Sequence, residues 1–190
     1  MADIYGVLLA AGFSTRFGSN KLLAEINNRP LIEYSAAALA PCDRIIAVVR
    51  EHDDEVPSTL NTLGIDCVIN TTPERSMGYS IARAVNASLD SSGWCLLPAD
   101  MPYVKASTTQ QLINAMRAGS ALAAPFYQGR RGHPVAFSHQ FREALSALDG
   151  DNGARSILEH NAQQLTAIVS DDAGVLVDVD RLEQIIVNNK

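Results

Sequence analysis

Short apolar runs alternate along this chain with longer stretches in which apolar and polar positions recur at helical spacing. Ile4 to Leu9, Arg44 to Val49, Cys67 to Ile69, Trp94 to Leu97 and Leu122 to Ala124 have the length and continuity of buried strands. The intervening segments are bounded by helix breakers. Leu31 to Leu39 follows Pro30 and stops before Pro41, Glu55 to Leu63 stops at Gly64, Tyr79 to Leu89 ends before Gly93, and Thr108 to Ala118 ends at Gly119. Strand and helix repeated in this way predict a mainly parallel sheet covered by helices on both faces, a three-layer α/β/α arrangement. Tyr127 to Pro134, with Gly129 and Gly132, predicts a hairpin or lid near residues 126–137. The chain contains no linker, low-complexity tract or repeat, so residues 1–190 are expected to form one domain.

The first strand runs directly into a loop, and Leu8 to Lys21 reads LLAAGFSTRFGSNK. Ala10, Ala11 and Gly12 let backbone amides approach a ligand, Gly18 relaxes a second turn, and Arg16 and Lys21 bring two cations to the same loop. This composition suits a triphosphate. The spacing is not that of a Walker loop, because Ser19 and Asn20 separate Gly18 from Lys21, and Gly12 and Gly18 do not form G-x-G-x-x-G. A strand-to-helix turn with surface cations is the alternative reading. Ligands of open parallel sheets bind beyond the carboxyl ends of the strands, where this loop lies. Asp100 lies there too, after the strand Trp94 to Leu97 and held between Pro98 and Pro102; a carboxylate so placed suits Mg²⁺ on a nucleotide.

A net charge of -6 over 190 residues argues against a broad nucleic-acid surface, so an anionic ligand needs a local positive site. Three widely spaced cysteines, Cys42, Cys67 and Cys95, form neither a disulfide framework nor a zinc pattern and predict reduced thiols, buried for Cys67 and Cys95. The run from Ile4 to Ala11 is too short to span a bilayer, and Asp3 stands where a leader would carry Lys or Arg. A cytoplasmic protein that engages neither nucleic acid nor membrane is expected.

Five blocks carry a family resemblance. Leu9, Ala10, Ala11, Gly12, Ser14, Arg16, Gly18 and Lys21 match L-A-A-G-x-S-x-R-x-G-x-x-K. SMGYSI (Ser76 to Ile81), LLPADMP (Leu96 to Pro102), RGHPVAF (Arg131 to Phe137) and GDNGAR (Gly150 to Arg155) follow in the same order. The chain resembles the molybdenum cofactor cytidylyltransferases, within the molybdopterin nucleotidyltransferases. The resemblance implies a Rossmann-like nucleotidyltransferase fold and transfer of CMP from CTP to the terminal phosphate of molybdenum-molybdopterin cofactor, with release of pyrophosphate and Mg²⁺ as cofactor. It implies Arg16, Lys21 and Asp100 as catalytic residues. Leu9, Ala10, Ala11, Gly12, Ser14, Met77, Gly78, Ser80, Pro98 and Ala99 join those three around the nucleotide. Arg131, Gly132, His133, Pro134, Asp151, Gly153, Ala154 and Arg155 are implied on the pterin side, and a molybdoenzyme or its maturation chaperone as a protein partner.

The chain also departs from that pattern. Ser76 replaces a usual glycine ahead of a helix whose amino end is expected to offer free amides to the nucleotide, with helix capping by Ser80 as the bland alternative. Asp178 and Asp180 both compete for the second metal position. Asp180 is favoured, although with Glu183 it also forms a capping box, and Arg181 and Leu182 break the family's usual sequence. For GDNGAR the structural alternative is a helix start capped by Asp151. His52, His139 and His160 lie in polar runs and are expected at the surface. Ala11 stands where the related guanylyltransferases carry a second glycine, so CTP is expected over GTP. The alternatives are a guanylyltransferase, a cytidylyltransferase with another phosphate acceptor, or a non-enzymatic carrier of the pterin cofactor.

Overall fold

The structure is a computed structural model that describes residues 3–12, 20–71, 76–181, 184 and 185. In chain order the strands are β1 (Ile4–Leu9), β2 (Glu25–Ile26), β3 (Arg29–Pro30), β4 (Arg44–Arg50), β5 (Asp66–Asn70), β6 (Gly93–Pro98), β7 (Leu122–Tyr127), β8 (Arg130–Arg131), β9 (Val135–Ser138) and β10 (Leu165–Val169). The helices are α1 (Leu31–Ala38), α2 (Glu55–Thr62), α3 (Met77–Ala87), α4 (Ala106–Arg117), α5 (Arg142–Ser146) and α6 (Arg155–His160). The five strands and four helices expected from the hydrophobic pattern are all present, with ends shifted by a few residues.

One sheet runs in the order β10-β7-β9-β6-β1-β4-β5, with β8 added beside β7. β1 pairs in parallel with both β4 and β6, β4 with β5, and β7 with β10. The sheet is α/β and mostly parallel, but β9 lies antiparallel between β6 and β7. Tyr127 pairs with Arg130 across a two-residue turn whose central residues, Gln128 and Gly129, have φ of 49° and 76°. Those positive values match the right-handed twist of the two strands they join. Asn27 and Asn28, at φ 51° and 61°, make the corresponding turn between β2 and β3.

Alternation along the strands divides the core. Ile4, Leu8 and Ala10, with Ala47, Val49, Cys95 and Leu97, face α1, α2 and α4. Tyr5, Val7 and Ala11, with Ile46, Val48, Trp94 and Leu96, face α3, α5 and α6. A period of two places successive residues on opposite faces, so each central strand serves both layers. Trp94 is fully buried and its indole N–H donates to Ser88 Oγ at 2.8 Å, which satisfies the polar edge of the largest side chain in the core. Cys42 and Cys95 are buried free thiols, whereas Cys67, expected in the core, is only partly covered on the edge strand β5. Among the described residues no helix is long and apolar enough to cross a membrane.

Candidate active site

β1 and β6 are neighbours in register, Leu9 opposite Pro98, so the chain segments leaving them emerge side by side. The Ala99 amide donates to the Leu9 carbonyl at 3.1 Å and the Ser35 hydroxyl to the Ala99 carbonyl at 2.8 Å, which fixes the path of the Asp100 turn. Lys21 opens a short 3-10 turn, Lys21–Leu23, anchored by buried Leu22. Just before it, Asn20 Nδ2 donates to Asp53 Oδ2 at 3.2 Å, and Asp53 also accepts from Arg50 Nη2 at 2.6 Å. The end of the first loop is therefore tied to the end of β4.

These constraints bring Lys21 Nζ to 2.7 Å from Asp100 Oδ2 and 3.2 Å from Asp180 Oδ1. The lysine is largely buried, Asp100 is 24% exposed at its side chain and Asp180 48%. Burial lowers the Lys21 pKa, but hydrogen bonding and charge from Asp100, and then from Asp180, more than offset it, so the pKa is raised and the ammonium stays charged. Asp180 arrives from the far end of the chain. The Val179 amide donates to the Asp100 carbonyl at 2.8 Å, while Gln184 Oε1 accepts from the amides of Asp180 and Arg181, each at 2.7 Å. The observed cap is thus Gln184, and Glu183, expected in that role, lies outside the described residues. Asp178, the competing candidate, is exposed.

Two carboxylates that share one ammonium are close enough to share another cation. Among the described residues no three His, Cys, Asp or Glu side chains converge. Two hard oxygen donors nevertheless fit Mg²⁺ or Mn²⁺, which hold one or two carboxylates and fill the other positions with water and phosphate.

A second feature lies on the α3 and α6 side of the sheet. A cavity of about 220 Å³ is walled by Leu9, Met77, Ile81, Leu96, Val135, Phe137 and Leu158, with Arg131, His133, Asn152 and Arg155 supplying polar groups. Leu9 and Met77 were expected on the nucleotide, Arg131, Gly132, His133, Ala154 and Arg155 on the pterin; all line this one cavity. Ile81, Leu96 and Phe137 were not foreseen as site residues, because in a sequence an apolar wall looks like core. His133 is held below the usual histidine pKa, chiefly by burial and then by the charge of Arg131, with Asp100 opposing, so the ring is neutral at pH 7. Arg155 pairs on its own helix with Glu159 at 2.7 Å.

Several expectations are corrected by the backbone. At the amino end of α3 two of the amides expected to be free are taken within the protein, Gly78 donating to the Gly150 carbonyl at 2.9 Å and Tyr79 to Ser76 Oγ at 3.3 Å, while Ser80 makes the first helical bond to the Ser76 carbonyl at 3.1 Å. The cap is Ser76, not Ser80. The Ser80 hydroxyl is buried, donating to the Ser76 carbonyl and accepting from Asn70 Nδ2 at 2.8 Å. Asp151 is exposed and, among the described residues, is not the cap of α6, whose N-cap position is Ala154 with no side-chain cap. A Cβ on Gly78 would collide with the carbonyls of Asp149 and Gly150, so the SMGYS and GDNGAR blocks meet through backbone. Gly153, at φ 53°, turns the chain beneath the Met77 sulfur.

Ala10, Ala11, Ala99 and Pro134 are buried, and Pro98 is partly so. Gly12 is exposed, and no described atom lies within 4 Å of where its Cβ would stand. Among the described residues neither packing nor a positive φ calls for a glycine at that position. Ser14 and Arg16 lie outside the described residues. His52, His139 and His160 are exposed.

A MobA-like NTP transferase domain matches residues 6–166. The purine catabolism protein PucB of Bacillus subtilis (strain 168) is 26% identical over 198 residues, covering 95% of this chain and 93% of that protein. A probable molybdenum cofactor guanylyltransferase of Thermococcus gammatolerans is 27% identical over 143 residues, 74% of this chain and 72% of that protein. The bifunctional protein GlmU of Koribacter versatilis is 28% identical over 147 residues, and the chain spans only 31% of its length. Rv0371C of Mycobacterium tuberculosis H37Rv, solved in complex with manganese, superposes with a TM-score of 0.81 at 23% identity over 97% of both chains, a likeness of fold. With a matching domain over residues 6–166, most of its length, this chain belongs to the MobA-like NTP transferase domain family and is a nucleotidyltransferase.

Proposed function

We propose that the protein transfers CMP from CTP to the terminal phosphate of a molybdopterin-type cofactor. The observation that carries the reading is the placement of Lys21 between Asp100 and Asp180, at the carboxyl ends of β1 and β6, beside a heterocycle-sized cavity with arginines at its rim. A relative named as a molybdenum cofactor guanylyltransferase supports the acceptor.

In this reading the triphosphate lies over Gly12, where the backbone is open to approach, and Arg16 and Lys21 meet its charge. Asp100 and Asp180 would hold Mg²⁺, which when bound neutralises charge on the phosphates and the departing pyrophosphate. A neighbour solved with manganese supports a divalent ion of this kind. An oxygen of the acceptor phosphate forms the new bond to the α-phosphorus of CTP as the bond to the β-phosphate oxygen breaks and pyrophosphate leaves. The attacking group is already an anion, so no side chain need remove a proton. The work of the protein is alignment and charge compensation. The apolar cavity excludes water from an attached ring, and Arg131 with Arg155 supplies charge where the phosphate of the acceptor enters.

Ala11 supports CTP as donor. Its methyl lies on the α3 side of the sheet, the side of the cavity, where the related guanylyltransferases carry glycine. GTP is the second reading, favoured by the name of the Thermococcus relative. Pyrophosphate release measured with each of the four nucleoside triphosphates, Mg²⁺ or Mn²⁺, and molybdopterin or simpler phosphate acceptors decides among them. Transfer to the pterin with CTP fulfils the proposal; turnover with a sugar phosphate and none with the pterin overturns its acceptor. A molybdoenzyme or its maturation chaperone would then receive the product.

A further inference from the structure

The segment that delivers Asp180 is a strap. From Asp172 to Asp180 it runs across the loops of two motifs, accepting from the His133 amide at the Val175 carbonyl at 2.9 Å and donating from the Val179 amide to the Asp100 carbonyl at 2.8 Å. Cβ atoms on Gly132 and Gly174 would collide with Val175 and with the Tyr103 carbonyl respectively, so the strap lies directly on both loops. Its start is fixed by Asp172, only 1% exposed. The carboxylate accepts from the Lys105 amide at 2.8 Å, the Thr108 hydroxyl at 2.7 Å and the Gly174 amide at 3.0 Å.

The first two donors belong to the amino end of α4, whose own N-cap residue, Lys105, offers no side-chain cap. Asp172 therefore supplies from a distant part of the chain the acceptor for the N-cap amide that a Glu or Gln in the first turn supplies in a capping box, at the positive end of the helix dipole. The Lys105 ammonium lies instead 3.9 Å from the exposed Asp171. Burying a carboxylate without its full set of donors is costly, which makes this an anchor with one register. Moving it shifts both ends of the site the strap touches.

We propose that Asp172 is a positioning residue that sets the strap so that Val179 docks on Asp100 and Asp180 joins Asp100 around one cation. The proposal rests on the reading of Asp180 as a metal ligand. The test compares wild type, Asp172→Asn, Asp180→Asn and the double variant, with Mn²⁺ titrated into nucleotide-free protein and free ion followed by electron paramagnetic resonance. Amide exchange at Val179 and His133 is measured in parallel. Asp172→Asn should weaken Mn²⁺ binding by about 10-fold, as loss of an outer support does, and should speed exchange at both amides. In the double variant it should weaken binding no further than Asp180→Asn alone. Thr108→Val, which removes one donor and no charge, should fall between wild type and Asp172→Asn and guards against a variant that does not fold. Mn²⁺ affinity and exchange unchanged in Asp172→Asn or in Thr108→Val, while Asp180→Asn binds weakly, overturns the positioning role. Wild-type affinity in Asp180→Asn overturns the ligand reading, and the proposal with it.

Discussion

Lys21 Nζ stands 2.7 Å from Asp100 Oδ2, an ion pair between residues 79 positions apart that closes the site across the ends of β1 and β6. The same ammonium reaches Asp180, so in this arrangement one cation holds two carboxylates together. Asp100→Ala should abolish transfer and also cost about 1–2 kcal/mol of stability, reduced from the larger cost of breaking a fully buried pair because the carboxylate is part-exposed. Steady-state transfer and chemical denaturation check both halves. Retained activity at saturating Mg²⁺ would remove Asp100 from the mechanism. Lys21→Met should lower stability in the absence of metal, by leaving two carboxylates facing each other, and Mn²⁺ should restore more stability to it than to the wild type.

His133 makes stability depend on pH. Its folded pKa lies below the unfolded value of about 6.5, so the unfolded state binds more protons between those two values. The stabilisation is complete above about pH 6.5 and is lost as pH falls toward the folded pKa. The difference in unfolding free energy between wild type and His133→Gln, taken from pH 8 down to 5, should therefore shift against the wild type on the acid side. A flat difference would show that burial of the ring has no linkage.

Ala11→Gly should raise use of GTP relative to CTP, by up to about 1–3 kcal/mol in discrimination, the range typical of one methylene in a pocket. The change is expected to be partial, since a base is also read through hydrogen bonds that this substitution does not supply. Ala11 is buried in the layer containing Val48 and Ile81, so a small loss of stability should accompany it. Competition between the two nucleotides gives the ratio of kcat/KM; an unchanged ratio would show that Ala11 does not select the base.

Gly78→Ala tests the contact between the SMGYS and GDNGAR blocks. The new methyl has no room beside the carbonyls of Asp149 and Gly150, and overpacking of this kind costs about 1–3 kcal/mol. Displacement of the 149–155 segment should raise KM for the acceptor more than it lowers kcat, because Asn152, Ala154 and Arg155 line the cavity and Lys21 and Asp100 do not. Equal losses in both parameters would place the effect in the catalytic loop instead.

The sequence by itself determined the elements and the first motif. Strand periodicity in Ile4 to Leu9 and Trp94 to Leu97, and breakers such as Pro30, Gly64 and Gly119, act over a few residues, and the same local forces shape the folded strands and helices. The turns at Asn27–Asn28 and Gln128–Gly129 are local for the same reason. Tertiary structure decided what depends on partners. Val135 to Ser138 became an antiparallel strand because β6 and β7 leave a slot between them, and the sheet's mixed character follows. Gly78, Gly132 and Gly153, which as motif residues looked reserved for ligands, are spent on backbone meeting backbone or side chain, whereas Gly12 is not. The joining of Lys21 to Asp180, 159 positions away, and the capping of α4 by Asp172 rest on hydrogen bonds whose donors and acceptors share no periodicity. Only the packed sheet brings such groups within 3 Å or so of each other, and at that range charge and hydrogen bonding become strong enough to define a site.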